Sequence, residues 1–268
     1  MNRRFRVIVL LFLFSLALLL PLPAWQMPDN TQSWIRQSTF IFVGTIEALN
    51  ATTMKSIAAD DSTAVVRVDN VIEAPGAPPD LAGKNITLKL LRPGSVRRGE
   101  QATFYTKGWL LGNSMAVIEV GHSVAAQAVP SQEQVNAVHQ QMAEEQLQNE
   151  MASAVAILSG TVRAVHPAKV THIGSEHDPD WYQAEIAVRE TLRGKLRGET
   201  FTLLFPHSDD VMWHNSPKFH EGQQGIWLLH VNQVRLPGVQ DQYTTLRPLD
   251  FQSEAQLERI RRLLNSKP

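Results

Sequence analysis

The chain has 268 residues, 43% of them hydrophobic, with 25 Lys and Arg against 26 Asp and Glu. That length can hold two domains with substantial cores, and the near-neutral charge gives no electrostatic reason to hold a polyanion, which removes the usual basis for nucleic-acid binding. There is no cysteine, so thiol catalysis, Cys-ligated zinc, thiolate-held iron–sulfur clusters and disulfides are all excluded.

Residues 1–24 combine basic Arg3, Arg4 and Arg6, an apolar core at 7–20 and the end Pro21-Leu22-Pro23-Ala24. This is the layout of a secretory signal peptide, and its core is shorter than the roughly 20 residues a spanning helix needs. Cleavage is expected after Ala24, with an uncleaved anchor as the alternative. The expected location is the periplasm or exterior of a bacterial cell. Once the leader arginines are removed, 22 cations face 26 anions, a mildly acidic surface.

Residues 25–125 read as a first β domain. Trp34 and Ile35 suggest a short helical turn packed on it. Apolar alternation then predicts strands at 40–48, 64–72, 86–90, 102–106 and 115–120. Pro75-Gly76-Ala77-Pro78-Pro79, Pro93-Gly94 and Gly99-Glu100 interrupt them. Gly108 and Gly112 bracket Trp109-Leu110-Leu111, which reads as an aromatic-bearing loop.

Residues 126–154 read as a helical connector. Ser131 with Gln134 suits a capping box, and Gln, Glu, Ala and Met dominate the stretch from Glu133 onward. The apolar stripe starts at Val135, Val138 and Met142 and shifts phase to Leu147, Met151 and Ala154. Either its two halves face different domains or most of it faces solvent.

Residues 155–250 repeat the order of the first domain, with strands predicted at 155–165, 182–192, 201–205, 226–231 and 243–249. Val43-Gly44-Thr45 opens the first unit as Ser159-Gly160-Thr161 opens the second. Gly44 to Val66 spans 22 residues and Gly160 to Ile186 spans 26, a difference that a loop absorbs at little cost. Residues 251–268 predict a short amphipathic helix with Ser253 as cap and Leu257, Ile260, Leu263 and Leu264 on its apolar stripe. The expected fold is all-β: two tandem five-stranded OB-like barrels joined by an α-helix, with a short C-terminal helix.

The phrases Phe42-Val43-Gly44-Thr45-Ile46, Val188-Arg189-Glu190-Thr191-Leu192-Arg193-Gly194 and Gly198-Glu199 with Phe201 and Leu203 resemble netrin-like and metalloproteinase-inhibitor-like barrels of uncharacterised exported bacterial proteins. The resemblance implies a binding or scaffolding module rather than an enzyme. The inhibitor family chelates its target's metal through an N-terminal Cys, which this chain lacks, so that mechanism does not carry over.

Seven of nine histidines lie between residues 166 and 230. His172, His177, His207, Asp209, His214 and His220 are the candidate ligands of a Cys-free zinc or copper site; His166 and His230, inside predicted strands, read as structural. No spacing matches a zincin or finger motif. Ser208 and Asp209 beside His207 supply the letters of hydrolytic chemistry without a recognisable nucleophile turn. No catalytic residue and no obligatory cofactor is assigned. Trp109, Trp181, Tyr182 and Trp213 are the candidate contacts for a protein partner, since Trp and Tyr are enriched at interfaces. The leading expectation is a non-enzymatic envelope module binding a protein through its barrel loops. A metal-binding protein and a structural envelope protein are the alternatives.

Overall fold

The computed structural model describes residues 30–76, 80–112, 114–124, 129–168, 177–195, 198–231 and 243–265. The expected leader lies outside them, and no helix among the described residues is long and apolar enough to cross a membrane. The chain divides into two compact units, Met1–Gln140 and Gln141–Pro268. The boundary falls inside the connector helix rather than at either of its ends.

In the first unit a short helix α1 (Thr31–Gln37) precedes strands β1 (Phe40–Leu49), β2 (Thr63–Glu73), β3 (Asn85–Lys89), β4 (Gln101–Leu111) and β5 (Met115–Ser123). They close into a barrel in the order β1-β2-β3-β5-β4, with β4 returning to β1. Only the β3–β5 pair is parallel. Alternate side chains point inward, so Phe42, Val66, Ile86, Leu88, Phe104 and Val117 fill the interior. Burying each such side chain contributes about 1.5–3 kcal/mol. Phe42 stacks on Phe40 at 4.6 Å and on Phe104 at 5.4 Å. Trp34 of α1 lies 5.4 Å from the Tyr105 ring and directly over Gly121, where a Cβ would come within 2.3 Å of the indole. The segment 108–111, read as a loop between glycines, is instead the end of β4, paired with β5 through Gly108↔Val117 and Leu111↔Met115.

Helix α2 (Gln132–Ser153) begins with the expected capping box: Ser131 Oγ accepts the Gln134 N–H at 3.2 Å, and Gln134 Oε1 accepts the Ser131 N–H at 2.9 Å. Its first half, in the first unit, buries Val135 and Val138, and His139 Nδ1 meets Glu73 Oε1 of β2 at 3.2 Å. Its second half, in the second unit, buries Leu147 and Met151 against Ile157, Ile226, Leu228 and Ile260. The shift of apolar phase along the helix thus matches two different partners for its two halves.

The second unit contains β6 (Ala156–Pro167), β7 (Asp180–Arg193), β8 (Thr200–His207), β9 (Gln224–Val231), β10 (Tyr243–Thr244), β11 (Phe251–Ser253) and α3 (Leu257–Asn265). The closed ring is β6-β7-β8-β10-β9, with β10 parallel to β8 and β9 returning to β6. This is the strand order of the first barrel. The fifth strand is shorter than expected: after Thr244 the chain leaves the ring, makes a 3-10 turn at Pro248–Asp250 and adds β11 to the outer edge of β9. The C-terminal helix begins after a 3-10 turn at Glu254–Gln256, and Ser253 makes no side-chain cap bond.

The correspondence between the barrels extends to their irregularities. The β1–β2 ladder shifts register at 41/42, 43/44 and 46/48, and the β6–β7 ladder shifts at 157/158, 159/160 and 162/164. Each pair of positions lies 116 residues apart. At the bulge, Gly44 and Gly160 let the neighbouring backbone approach: an added Cβ would lie 2.8 Å from Arg67 O and 2.3 Å from Ala187 O respectively. The turn into the fourth strand is also duplicated. Gly99 N–H donates to Ile46 O at 2.8 Å and Gly222 N–H to Val162 O at 2.9 Å, with φ of 79° and 81°.

Candidate functional site

On the outer face of the second barrel, β7 and β8 meet at Asp180↔His207 and Trp181↔Pro206. Strand alternation sends Tyr182 inward, packed against the barrel core, and Trp181 outward. Trp181 is nonetheless buried, because Leu204, Ala168, Leu246 and Trp213 surround it. Its ring and that of Trp213 meet edge-on at 5.7 Å. Two of the aromatic candidates therefore form a small outer core beneath the loop after β8. Trp109 lies in β4 rather than in a loop.

That loop is braced from within. Asp210 Oδ1 accepts the Met212 N–H at 2.8 Å, and Asp210 Oδ2 meets His177 Nδ1 at 3.1 Å. These contacts hold the Asp210 carboxyl below its ordinary range, the Met212 amide contributing most and His177 next. Asp210 O accepts the N–H groups of Trp213 and His214 at 2.8 Å each. Trp213 Nε1–H donates to His177 O at 2.8 Å, joining the loop to the segment before β7. Lys218 Nζ donates to Trp213 O at 2.7 Å and Ser216 O at 3.0 Å, and burial lowers its pKa. Ser216 Oγ–H donates to Leu246 O at 2.7 Å. A loop so restrained holds its apex in a defined position, and the apex carries Val211 and Met212, 74% and 61% exposed.

Among the described residues, the candidate metal ligands do not converge. His207 is exposed with its ring 4.6 Å from that of Tyr182. His214 Nδ1 lies 2.9 Å from Val211 O, and His220 Nδ1 lies 3.1 Å from Glu221 O. Asp209 is exposed, and His172 lies outside the described residues. Among the described residues, the one group of three or more such side chains with ligand atoms within 4.8 Å of one another is Glu150, His230 and Asp250. Strand position alone makes His230 read as structural, and neither carboxylate stands out in the sequence. Only the folded chain brings α2, β9 and the 3-10 turn together.

At this second cluster, Asp250 Oδ2 accepts the N–H groups of Leu246 and Arg247 at 2.8 and 2.9 Å. Burial raises the Asp250 pKa despite those bonds. Arg247 Nη1 donates to Glu150 Oε1 at 2.5 Å.

No protein-family model matches this chain, and no curated protein matches it. What the fold defines is a class: a protein of two closed, OB-like barrels of the same strand order with a helix joining them in sequence.

Proposed function

We propose that this chain is an exported, non-enzymatic binding module whose second barrel offers the loop around Met212 to a protein partner in the bacterial cell envelope. One observation carries the reading: two adjacent apolar side chains, Val211 and Met212, are held outward on a turn restrained by hydrogen bonds within residues 208–216 and to His177. Scattered exposed apolar residues are ordinary. An adjacent pair on a pre-ordered turn, above a Trp181–Trp213 base, resembles the anchor of an interface, because little conformational entropy remains to be lost on docking. The basic leader followed by an apolar run supports export, and the mild acidity of the rest supports a protein rather than a nucleic-acid partner.

The test compares recovery from envelope extracts of the wild-type chain, Val211→Asp/Met212→Asp, and the control Leu91→Asp, whose parent side chain is 61% exposed in the first unit. The expected result is a co-purifying protein retained by the wild type and the control and lost from the double variant. Identical recovery by all three contradicts the proposal. Uniform fractionation with the cell wall irrespective of the loop supports the structural-protein alternative.

A further inference from the structure

We propose that Glu150, His230 and Asp250 form a binding site for a divalent metal ion of the zinc type, a site distinct from the histidine-rich loops. Each ligand comes from a different element of the second unit: the last turns of α2, strand β9, and the 3-10 turn ahead of β11. His230 Nε2 lies 3.1 Å from Glu150 Oε1 and 3.0 Å from Asp250 Oδ1. Tetrahedral zinc with bonds of roughly 2.0–2.1 Å spaces its ligand atoms about 3.3 Å apart; the imidazole nitrogen already stands near that separation from each carboxylate, and the ligand atoms of all three residues lie within 4.8 Å of one another.

The directions of the contacts separate a metal site from a simple charge cluster. His230 Nε2 and Asp250 Oδ1 are both buried and neither has a hydrogen-bond partner, although they lie 3.0 Å from each other. One ring N–H can aim at one acceptor, and here neither close carboxylate makes a hydrogen bond with it. A proton on the imidazole would leave that geometry poorly used. A cation accepting lone pairs from all three atoms uses it fully. The Asp250 side chain is 2% exposed, and its oxygen facing the cluster has no hydrogen bond, so a cation there would supply the polar contact that burial otherwise denies it.

The surroundings orient the ligands as outer groups do at metal sites. The Leu246 and Arg247 amides hold Asp250 Oδ2, leaving Oδ1 as its single donor. Arg247 holds the Glu150 carboxylate. Two carboxylates against one guanidinium leave an anionic excess that a divalent cation neutralises. Glu150 and His230 side chains are 14% and 13% exposed, which leaves an edge for the ion to enter and for water to complete its coordination. Bound there, the ion would clip the end of α2 to the barrel.

The test uses the full chain, produced without a polyhistidine tag, stripped with a chelator and titrated with zinc chloride. Bound metal is measured after gel filtration and the thermal midpoint is followed with metal concentration. The expected result is one equivalent per chain and a midpoint that rises with zinc. Glu150→Gln and His230→Ala should each weaken binding by about tenfold or more. Combined His177→Ala, His207→Ala and His214→Ala should leave it unchanged. Less than about a tenth of an equivalent on the wild type, or undiminished binding by Glu150→Gln, overturns the proposal, since a site of this kind requires its full ligand set. Loss of binding in the loop triple variant overturns it too. Circular dichroism establishes that each variant is folded, and if His230→Ala is not, Glu150→Gln decides.

Discussion

Gly160→Ala is a small substitution that places a severe demand on the second barrel. The new Cβ would lie 2.3 Å from the Ala187 carbonyl oxygen and 3.0 Å from Ile186 Cγ2, where ordinary contact begins at 3.4 Å. Relief requires β7 to retreat by about 1 Å at its bulge, which a packed interior resists. The clash is with backbone, and β7 is laced to β8 on its other side through Ala187↔Thr200 and Ile186↔Phe201. Overpacking typically costs about 1–3 kcal/mol, and a backbone clash without a rotamer escape belongs at the upper end, about 3 kcal/mol. For a unit of this size that lowers the melting midpoint by about 10–15 °C. Two controls separate crowding from backbone conformation. Gly222→Ala meets nothing within 4 Å but sits at φ +81°, so the left-handed strain alone should cost about 1–2 kcal/mol. Gly108→Ala has open space and no positive φ, and should stay within about 0.5 kcal/mol of wild type. Urea unfolding of the full chain, followed by circular dichroism and by tryptophan fluorescence, reads all three. If Gly160→Ala is as mild as Gly108→Ala, the close approach of the two strands at the Gly-Thr step is wrong.

The barrels yield two further expected outcomes. His122 Nδ1 lies 2.6 Å from Glu119 Oε1, and this bond raises the His122 pKa above its ordinary 6.5 despite partial burial. A raised folded pKa means the protonated pair stabilises the first unit fully below pH 6.5, and the contribution is lost as pH climbs through the raised value. Unfolding midpoints measured on both sides of that window should fall with rising pH, and His122→Gln should flatten the trend; equal slopes in the two proteins would show that the pair is not its source. Trp181→Ala removes a buried indole from beneath the 208–216 loop. It should cost about 3–5 kcal/mol and speed proteolysis of that loop, measured by denaturation and limited digestion. An unaltered digestion pattern would mean that the loop does not rest on Trp181.

Much of the fold was legible because a barrel strand half-buried on one face writes its alternation into the chain, as at Ile86, Leu88 and Leu90 or Phe201, Leu203 and Phe205. The glycines at 44, 99, 160 and 222 were readable for the same reason: each sits where one backbone arrangement excludes a side chain or demands positive φ. Gly108 misled, because a glycine inside a strand looks like a turn when its neighbours are Trp109 and Leu110. Residues 243–249 misled differently. Their apolar spacing suits one strand, yet the Asp250 carboxylate draws the Leu246 and Arg247 amides into a turn that ends β10 at Thr244. The outward position of Trp181 required its pairing with Pro206, which strand parity then converts into a direction. The cluster at Glu150, His230 and Asp250 had no local signature at all, since its members are separated by 80 and 20 residues and meet only through packing.

Site-specific photo-cross-linking through an unnatural side chain at position 212 reads the binding proposal most directly and in cells. The control is Thr202, exposed on β8 of the same barrel. A discrete protein adduct formed at 212, absent at 202 and abolished when Asp210→Ala loosens the turn, is the expected result. The same faint adducts at both positions, or none at 212, would contradict the assignment of the loop as the protein's contact with its partner.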